Sequence, residues 1–221
     1  MIEIRGLRKE YRRGAETVLA CSVRDLVVTD GEQIALMGRS GCGKTTLLNL
    51  IAGIQRPTGG SVRVCGVDLA TLGQGALDRF RAEHVGIVFQ TFNLLQPFTA
   101  LENVLLGAVF SGRADARHRV RAQELLERVG LGDRTGHRPR ELSIGQQPRV
   151  AMCRALIHEP DLILADEPLG NQDRETGSRV LQLLLEIARD EHRTVVMVTH
   201  DPESAKMMQR CVDLQSLREA A

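Results

Sequence analysis

A glycine-rich segment could bind the phosphate groups of a nucleotide. Residues 38–46 match the pattern G-x-x-x-x-G-K-[ST] and lie between an apolar run and a helical pattern, the context that makes this motif meaningful. Glycines let the backbone curl so that several N–H groups point at phosphate oxygens. Lys44 could reach the β- and γ-phosphates, and the Thr45 hydroxyl could bind Mg²⁺. The predicted phosphate-binding residues are Gly38, Arg39, Ser40, Gly41, Cys42, Gly43, Lys44, Thr45 and Thr46.

Two acidic residues follow a second apolar run and could complete a hydrolytic site. Asp166 and Glu167 come directly after the apolar residues 162–165. Because adjacent side chains of a strand point in different directions, one acid can serve a metal ion and the other a water molecule. Asp166 is therefore the predicted Mg²⁺ partner, and Glu167 is the predicted general base for attack on the γ-phosphate. The alternative is a solvated strand end before a proline turn, which the phosphate loop in the same chain disfavours.

The lysines indicate which base the nucleotide carries. A guanine-binding site would need an Asn/Thr-Lys-x-Asp segment. The two lysines outside the phosphate loop, Lys9 and Lys206, stand in Arg-Lys-Glu and Ala-Lys-Met, so the chain has no such segment. We therefore expect ATP, together with Mg²⁺, as the ligand.

The composition excludes several classes of protein. The chain has 221 residues, of which 43% are hydrophobic and 26% charged, a balance that argues against global disorder. Its formal net charge of +1 argues against a nucleic-acid-binding protein that works by neutralising phosphates. No apolar run reaches the roughly 18–20 residues of a membrane helix, and the first residues do not resemble a signal peptide. The five cysteines include no Cys-x-x-Cys pair, which argues against a zinc site.

The pattern of apolar residues predicts the elements that position these groups. Short apolar runs alternate with helical patterns, which predicts an α/β protein with a largely parallel sheet. The continuous apolar runs at 162–165 and 195–198 are typical of central parallel strands. Residues 29–31 form a turn signal between predicted strands at 23–28 and 33–37.

The order of these elements predicts one domain with an insertion. Residues 1–90 and 158–221 are rich in predicted strands and would form the nucleotide-binding core. The residues between them, about 91–157, are mostly helical in pattern. With no internal repeat and no low-complexity linker, we expect a single domain over residues 1–221.

An ordered set of motifs resembles the ATP-binding-cassette (ABC) ATPases. Residues 142–146, Leu-Ser-Ile-Gly-Gln, are similar to the family signature Leu-Ser-Gly-Gly-Gln, and the two acids follow about 20 residues later. Residues 98–104 and 165–171 most resemble the subgroup of lipoprotein-release, macrolide-export and FtsE-type cassettes. The other residues that resemble family motifs are the Q-loop glutamine Gln90, the D-loop aspartate Asp173, the switch histidine His200 and the adenine-stacking aromatic Tyr11.

This resemblance implies a fold and a dimeric mechanism. The fold would be a P-loop NTPase core of the RecA type, with an antiparallel β subdomain and an inserted α-helical subdomain that carries the signature. Two copies would pair head to tail around two Mg-ATP molecules. Ser143, Gly145 and Gln146 would then bind the nucleotide of the opposite copy. Gln90 would also contribute to Mg²⁺, and Gln90 and the catalytic His200 would sense the γ-phosphate.

The resemblance also implies a membrane partner. Opening and closing of the dimer would drive transmembrane permease subunits, whose coupling helix would dock near a loop with apolar side chains between Phe92 and Phe98. The chain would then lie at the cytoplasmic face of the plasma membrane as a peripheral subunit. Two alternatives remain open: an ATP-binding regulatory subunit with weak hydrolysis, and a cytosolic ABC ATPase without a transport role. The near-zero net charge argues against a nucleic-acid partner for either.

Two residues depart from the family signature. Ile144 stands where the family has glycine, and a β-branched residue adopts positive φ only at a cost. Pro148 stands where the family usually has glutamine. If Ser143 were the N-cap of the next helix, Pro148 would lie inside that helix and cost up to about 3 kcal/mol. We therefore expect these residues to slow basal hydrolysis.

Overall fold

The computed structural model describes residues 1–14, 16–110, 114–169 and 174–218. The predicted D-loop aspartate, Asp173, lies outside the described residues. The strands are β1 (Ile2–Arg13), β2 (Glu16–Val28), β3 (Gln33–Met37), β4 (Gly59–Val64), β5 (Val67–Asp68), β6 (Val85–Val88), β7 (Leu162–Asp166), β8 (Thr194–Thr199) and β9 (Arg210–Asp213). The helices are α1 (Lys44–Ile51), α2 (Gln74–His84), α3 (Ala100–Phe110), α4 (Ala116–Arg128), α5 (Gln147–Leu156), α6 (Arg174–Asp190) and α7 (Pro202–Lys206). Short 3-10 helices lie at Leu69–Thr71, Gly132–Arg134 and Pro139–Glu141.

An antiparallel sheet of four strands, in the order β2-β1-β4-β5, covers one side of the phosphate-loop helix. Strand β1 is central, so that Ile2 pairs with Val28 on one side and with Val64 on the other. Ile2 and Ile4 are buried and alternate with exposed charged residues, as expected of a sheet with one solvated face. Its buried face joins α1 in one hydrophobic cluster, which includes Leu47.

A five-stranded sheet, in the order β6-β7-β8-β3-β9, is parallel at every pairing. All residues of β8 are buried, because helices and the other sheet cover both faces. The carboxyl ends of the strands meet at one edge, where Met37 pairs with Thr199 and Asp213 and where Asp166 pairs with Val198. Ligands bind at this edge in open α/β sheets.

The turn predicted at residues 29–31 connects β2 to β3 without forming a hairpin. β2 pairs with β1 in the antiparallel sheet, whereas β3 lies between β8 and β9 in the parallel sheet. The turn predicted between these two strands is therefore confirmed, and the strands that it joins belong to different sheets. The predicted largely parallel sheet and the predicted antiparallel part are both present.

Helices α3, α4 and α5 form the helical region between β6 and β7. Their buried side chains, among them Val104, Leu126 and Val150, belong to one cluster with the adjoining face of the parallel sheet. Helix α3 begins with a capping box, in which the carboxylate of Glu102 accepts the Thr99 N–H and the Thr99 hydroxyl accepts the Glu102 N–H. None of the described helices combines the length and the apolar character that crossing a bilayer requires.

The start of α5 corrects what the sequence suggested for the signature. Residues 144–146 form a turn, Gln146 is the N-cap, and Pro148 occupies the second helical position. Proline is tolerated in the first turn of a helix, so the interior cost expected of Pro148 does not apply. Ile144 lies outside the residues with positive φ, and its side chain is 74% exposed. The expected backbone strain at Ile144 is therefore also absent.

Candidate nucleotide-binding site

The phosphate loop has a backbone shape that requires glycine at one position. Gly43 has φ +93°, and a Cβ added there would lie 2.2 Å from the carbonyl oxygen of Ala20. Gly41 also has positive φ, at +78°, with open space around it. The carbonyl of Gly43 accepts the first helical bond, from the N–H of Leu47. The loop therefore turns sharply into α1, and the free N–H groups at the start of that helix form an anion-binding end.

Lys44 lies buried in the middle of this loop. Its ammonium donates to the carbonyl oxygens of Gly38 at 2.9 Å and Arg39 at 3.3 Å, and lies 3.4 Å from Oε1 of Glu167. The side chain is only 6% exposed, so these oxygens replace the water that a buried ammonium would otherwise need. The positive charge is thus fixed inside the loop, where the sequence predicts phosphate.

The predicted magnesium ligands lie next to each other. The Thr45 hydroxyl is hydrogen-bonded to Asp166. Burial raises the pKa of Asp166, and the nearby charge of Glu167 adds to that rise, whereas the Thr45 hydrogen bond and Lys44 oppose it. A hydroxyl and a carboxylate, with the amide of Gln90 lining the same cavity, are oxygen donors of the kind that Mg²⁺ prefers. These residues fit the predicted ion.

Glu167 connects the two halves of the predicted catalytic site. Its Oε2 lies 2.7 Å from Nδ1 of His200, and its Oε1 faces Lys44. Its φ of 44° lies in the left-handed region, and its N–H donates to the carbonyl of Val198 at 3.0 Å. Because β7 and β8 are adjacent, this bond fixes the backbone that directs the carboxylate toward the phosphate loop. A non-glycine residue in this region costs energy, which is typical of functional positions.

A cavity of about 1210 Å³ collects most of the predicted site residues at the carboxyl edge of the parallel sheet. The predicted residues that line it are Gly38, Arg39, Ser40, Gly41, Gly43, Lys44, Thr45, Thr46, Gln90, Asp166, Glu167 and His200. The remaining lining residues are Val18, Leu19, Ala20, Met37, Cys211, Asp213 and Gln215. The cavity therefore combines a buried cation, three carboxylates and a histidine with backbone N–H groups.

Some predicted residues do not line this cavity. Cys42 is buried in the hydrophobic cluster around α1, so its side chain is not a phosphate contact. Tyr11 donates from its hydroxyl to Gln55 at 2.6 Å, and its ring lies beneath the ammonium of Lys9. Its stacking on adenine stays a prediction. The signature residues Ser143, Gly145 and Gln146 are also absent from the lining, and their contact with a nucleotide of another copy stays a prediction.

Several lining residues were not identified from sequence. Val18 and Leu19 are exposed by 43% and 55% and form an apolar part of the cavity lining. An exposed apolar pair in a strand could have been the signal, but the predicted strand began only at residue 23. Cys211 and Asp213 reach the cavity because β9 joins the edge of the sheet beside β3. No sequence motif predicts this pairing.

The fold and the site together define a P-loop nucleotide hydrolase. A phosphate loop follows β3, and an acid pair ends β7, two strands away in the same parallel sheet. The model of the ABC transporter family matches residues 23–170. The chain therefore belongs to the ABC transporter family, as one of its ATP-binding domains.

Individual relatives agree with this assignment. The macrolide export ATP-binding/permease protein MacB of Rhodopseudomonas palustris (strain HaA2) is 46% identical over 214 residues, which are 97% of this chain and 33% of that protein. The chain thus spans about a third of the length of such relatives. The lipoprotein-releasing system ATP-binding protein LolD of Chromohalobacter salexigens is 42% identical over 99% of this chain and 92% of its own length.

A solved structure gives the same fold. The dimeric post-hydrolysis state of the ATP-binding cassette MJ0796, bound to ADP and Pi, is 37% identical. It superimposes with a TM-score of 0.88 over 99% of this chain and 94% of its own. The predicted fold class is confirmed.

We expect Gly43→Ala to damage both stability and nucleotide binding. The new Cβ would collide with the carbonyl of Ala20, and the left-handed backbone alone costs about 1–2 kcal/mol with a side chain. Urea unfolding should show a loss larger than this. The matched control is Gly75→Ala in α2, where no atom lies within 4 Å and φ is helical. A Gly43→Ala protein as stable as the control would contradict the geometry.

Proposed function

We propose that this chain is the ATP-hydrolysing motor of a membrane transporter. Two copies would close around two Mg-ATP molecules, and hydrolysis would let them open again and drive permease subunits. The observation that carries the proposal is the contact of Glu167 with Lys44 at 3.4 Å and with His200 at 2.7 Å, in a cavity that also holds Asp166. Each group that hydrolysis of a γ-phosphate needs is within reach of the others.

Each residue of the site would have a separate role in hydrolysis. Lys44 and the N–H groups of the loop would bind the β- and γ-phosphates and balance their charge. Glu167 would orient the attacking water and accept its proton, while His200 would hold the Glu167 carboxylate and donate to the γ-phosphate. Thr45 and Asp166 would hold Mg²⁺, which neutralises charge on the phosphate oxygens.

Each site would be completed by the signature of a second copy. Residues 144–146 form a turn before α5. Ser143 and Ile144 are exposed, and Gly145 and Gln146 are half-buried, so another chain can reach this segment. The Ser143 hydroxyl and the Gly145 N–H would point at the γ-phosphate of that chain. The dimeric state of the MJ0796 cassette supports this arrangement. The backbone of Ile144 is unstrained, but its exposed side chain stands where the family has glycine and would take up space beside that nucleotide, which favours a second candidate, a regulatory subunit with weak hydrolysis.

A loop after β6 is the proposed docking place for the permease. Leu95 and Phe98 are exposed by 45% and 38%. The guanidinium of Arg154 in α5 donates to the carbonyls of Phe92 and Asn93 and thereby ties this loop to the signature helix. When the dimer closes, movement of α5 would be transmitted to the permease through these two hydrogen bonds. The names of the MacB and LolD relatives support a transporter role, and we infer a peripheral position at the cytoplasmic face of the plasma membrane.

Mixing two inactive variants tests the proposed function. Lys44→Ala removes the cation of the phosphate loop, and Ser143→Arg blocks the signature without touching a buried group. If each site is shared between two copies, a mixed dimer keeps one intact site and one doubly defective site. An equal mixture should therefore recover up to about a quarter of the unmodified ATPase turnover, although each variant alone has almost none.

The controls separate the candidates. A mixture that stays inactive, while the unmodified chain turns over, would show that the site is complete within one copy. An unmodified chain that binds Mg-ATP and dimerises but does not turn over would favour the regulatory subunit. A double variant that carries both changes in one chain should stay inactive when it is assayed alone.

A further inference from the structure

A second cluster of metal-ligating side chains lies at the opposite edge of the parallel sheet. Cys65, His84 and Asp161 each offer one ligand atom, and these atoms all lie within 4.8 Å of one another. The three residues are partly buried and come from three separate segments of the chain. The nucleotide cavity lies at the carboxyl ends of the strands, whereas His84 and Asp161 directly precede β6 and β7.

The strand register explains why these residues meet. Val85 pairs with Leu162 at the first position of the β6–β7 ladder, so the residues just before them are brought together. His84 Nδ1 lies 2.6 Å from Asp161 Oδ2. The ring of Phe80 lies against the imidazole, with 5.0 Å between the ring centroids, and restricts its rotation. The histidine and the carboxylate are therefore already oriented.

Cys65 reaches this pair from the antiparallel sheet. It follows Val64 at the end of β4, and its N–H donates to the carbonyl of Met1 at 2.9 Å. With Gly66 it forms the two-residue turn to β5, and both residues have positive φ, 49° and 77°. Turns of this type favour Asn-Gly, so cysteine is not the residue that the local backbone selects.

We infer that Cys65, His84 and Asp161 form a binding site for one zinc ion. A thiolate, an imidazole and a carboxylate are the donors that Zn²⁺ takes in proteins, and three such ligands leave a fourth position open for water. The site would join the β4–β5 turn to the start of the parallel sheet. On binding, Zn²⁺ takes the place of the Cys65 thiol proton, which is released to water. It also takes the place of the hydrogen between His84 Nδ1 and Asp161 Oδ2, which moves to His84 Nε2 or to water.

The surroundings of the thiol favour its protonated form when no metal is bound. Burial raises the pKa of Cys65 to about 11, and the nearby charge of Asp161 adds to the rise. A metal ion that binds here must therefore displace the thiol proton. The thioether sulfur of Met1 lies 3.4 Å from the Cys65 sulfur and adds a further soft atom beside the site.

Cobalt absorption on the full chain tests the site directly. Co²⁺ that replaces Zn²⁺ at a thiolate shows a sulfur-to-metal charge-transfer band, which oxygen and nitrogen ligands do not give. We expect this band in the unmodified protein, with one metal ion per chain, and its loss in Cys65→Asn. Asparagine suits the turn, so this variant should remain folded in EDTA. Competition with a chromophoric chelator should show that His84→Gln and Asp161→Asn weaken zinc binding by at least about tenfold.

Cys211→Ser is the matched control, because Cys211 is exposed and lies in the nucleotide cavity near carboxylates. This variant should keep the band. A band that survives in Cys65→Asn and disappears in Cys211→Ser would overturn the proposal and place the metal in the nucleotide cavity. The absence of stoichiometric zinc binding in the unmodified chain would overturn it as well. Zn²⁺ should also raise the melting temperature of the unmodified protein and of His118→Gln, whose histidine pairs with Asp115 without a thiol.

Discussion

Glu167→Gln should lower ATPase turnover by about 10²–10⁴-fold while Mg-ATP still binds. The amide keeps the size of the side chain and can still bond to His200, but it cannot accept a proton from water. Lys44, Thr45 and Asp166, which we propose as the residues that bind phosphate and Mg²⁺, are unchanged. Turnover and nucleotide affinity are measured on the same preparation.

The dimer provides a second readout for Glu167→Gln. Because hydrolysis is blocked, two copies should remain closed around ATP, and size-exclusion chromatography with mass detection should show a dimer under Mg-ATP. Glu203→Gln is the control, since Glu203 forms an exposed pair with Lys206, an interaction of little energetic value. If Glu167→Gln kept turnover within a few-fold of the control, Glu167 would not be the base.

Lys44→Ala should weaken ATP binding by at least about a hundredfold. Two charge-assisted hydrogen bonds to phosphate are worth about 1.5–3 kcal/mol each. The other cation of the loop, Arg39, is exposed, whereas Lys44 is buried among the loop carbonyls. Equilibrium binding of a fluorescent ATP analogue measures the loss. In the structure Lys44 also balances the charge of Glu167, so its removal leaves that carboxylate with His200 as its remaining partner among the contacts described above.

The chain provides a direct control for this variant. Lys206 is exposed and pairs with Glu203 on the short helix α7, so Lys206→Ala should leave ATP affinity unchanged. Equal affinity of the two variants would mean that the loop binds phosphate through its backbone alone. A Lys44→Ala protein that binds ATP weakly but unfolds like the control would assign the effect to binding rather than to stability.

The sequence predicted the parallel core well because its strands are buried on both faces. Such strands are continuous apolar runs, and the motifs that end them fall at one edge of the sheet. The positions of Lys44, Asp166, Glu167 and His200 in one cavity follow from this simple geometry. A phosphate loop adds a local backbone requirement that glycine spacing reveals directly.

The antiparallel sheet and the signature were harder to predict. The predicted strand began at residue 23, whereas β2 begins at Glu16, because its first residues are exposed and show no alternation of apolar and polar side chains. The helix after the signature begins at Gln147 rather than after Ser143, since a turn precedes it. Pairing partners and helix starts of this kind are decided by tertiary contacts.

The residues of the proposed zinc site illustrate a different limit of prediction from sequence. Cys65, His84 and Asp161 have no recognisable spacing, and the absence of a Cys-x-x-Cys pair argued against a zinc site. Only the register of β6 on β7 and the end of β4 bring the three together. Sites assembled from single residues of distant segments leave no local pattern.

The position of β3 between β8 and β9 has a consequence for biosynthesis. Residues 33–37 leave the ribosome long before both of their neighbours, which lie at 194–199 and 210–213. Until then the phosphate loop follows a strand with two unpaired edges, and such species aggregate readily. Pairings this distant in sequence also form slowly. ATP can therefore act as a folding ligand only for a chain that already includes residues 210–213, and truncation before residue 210 should leave a nascent protein that nucleotide does not rescue.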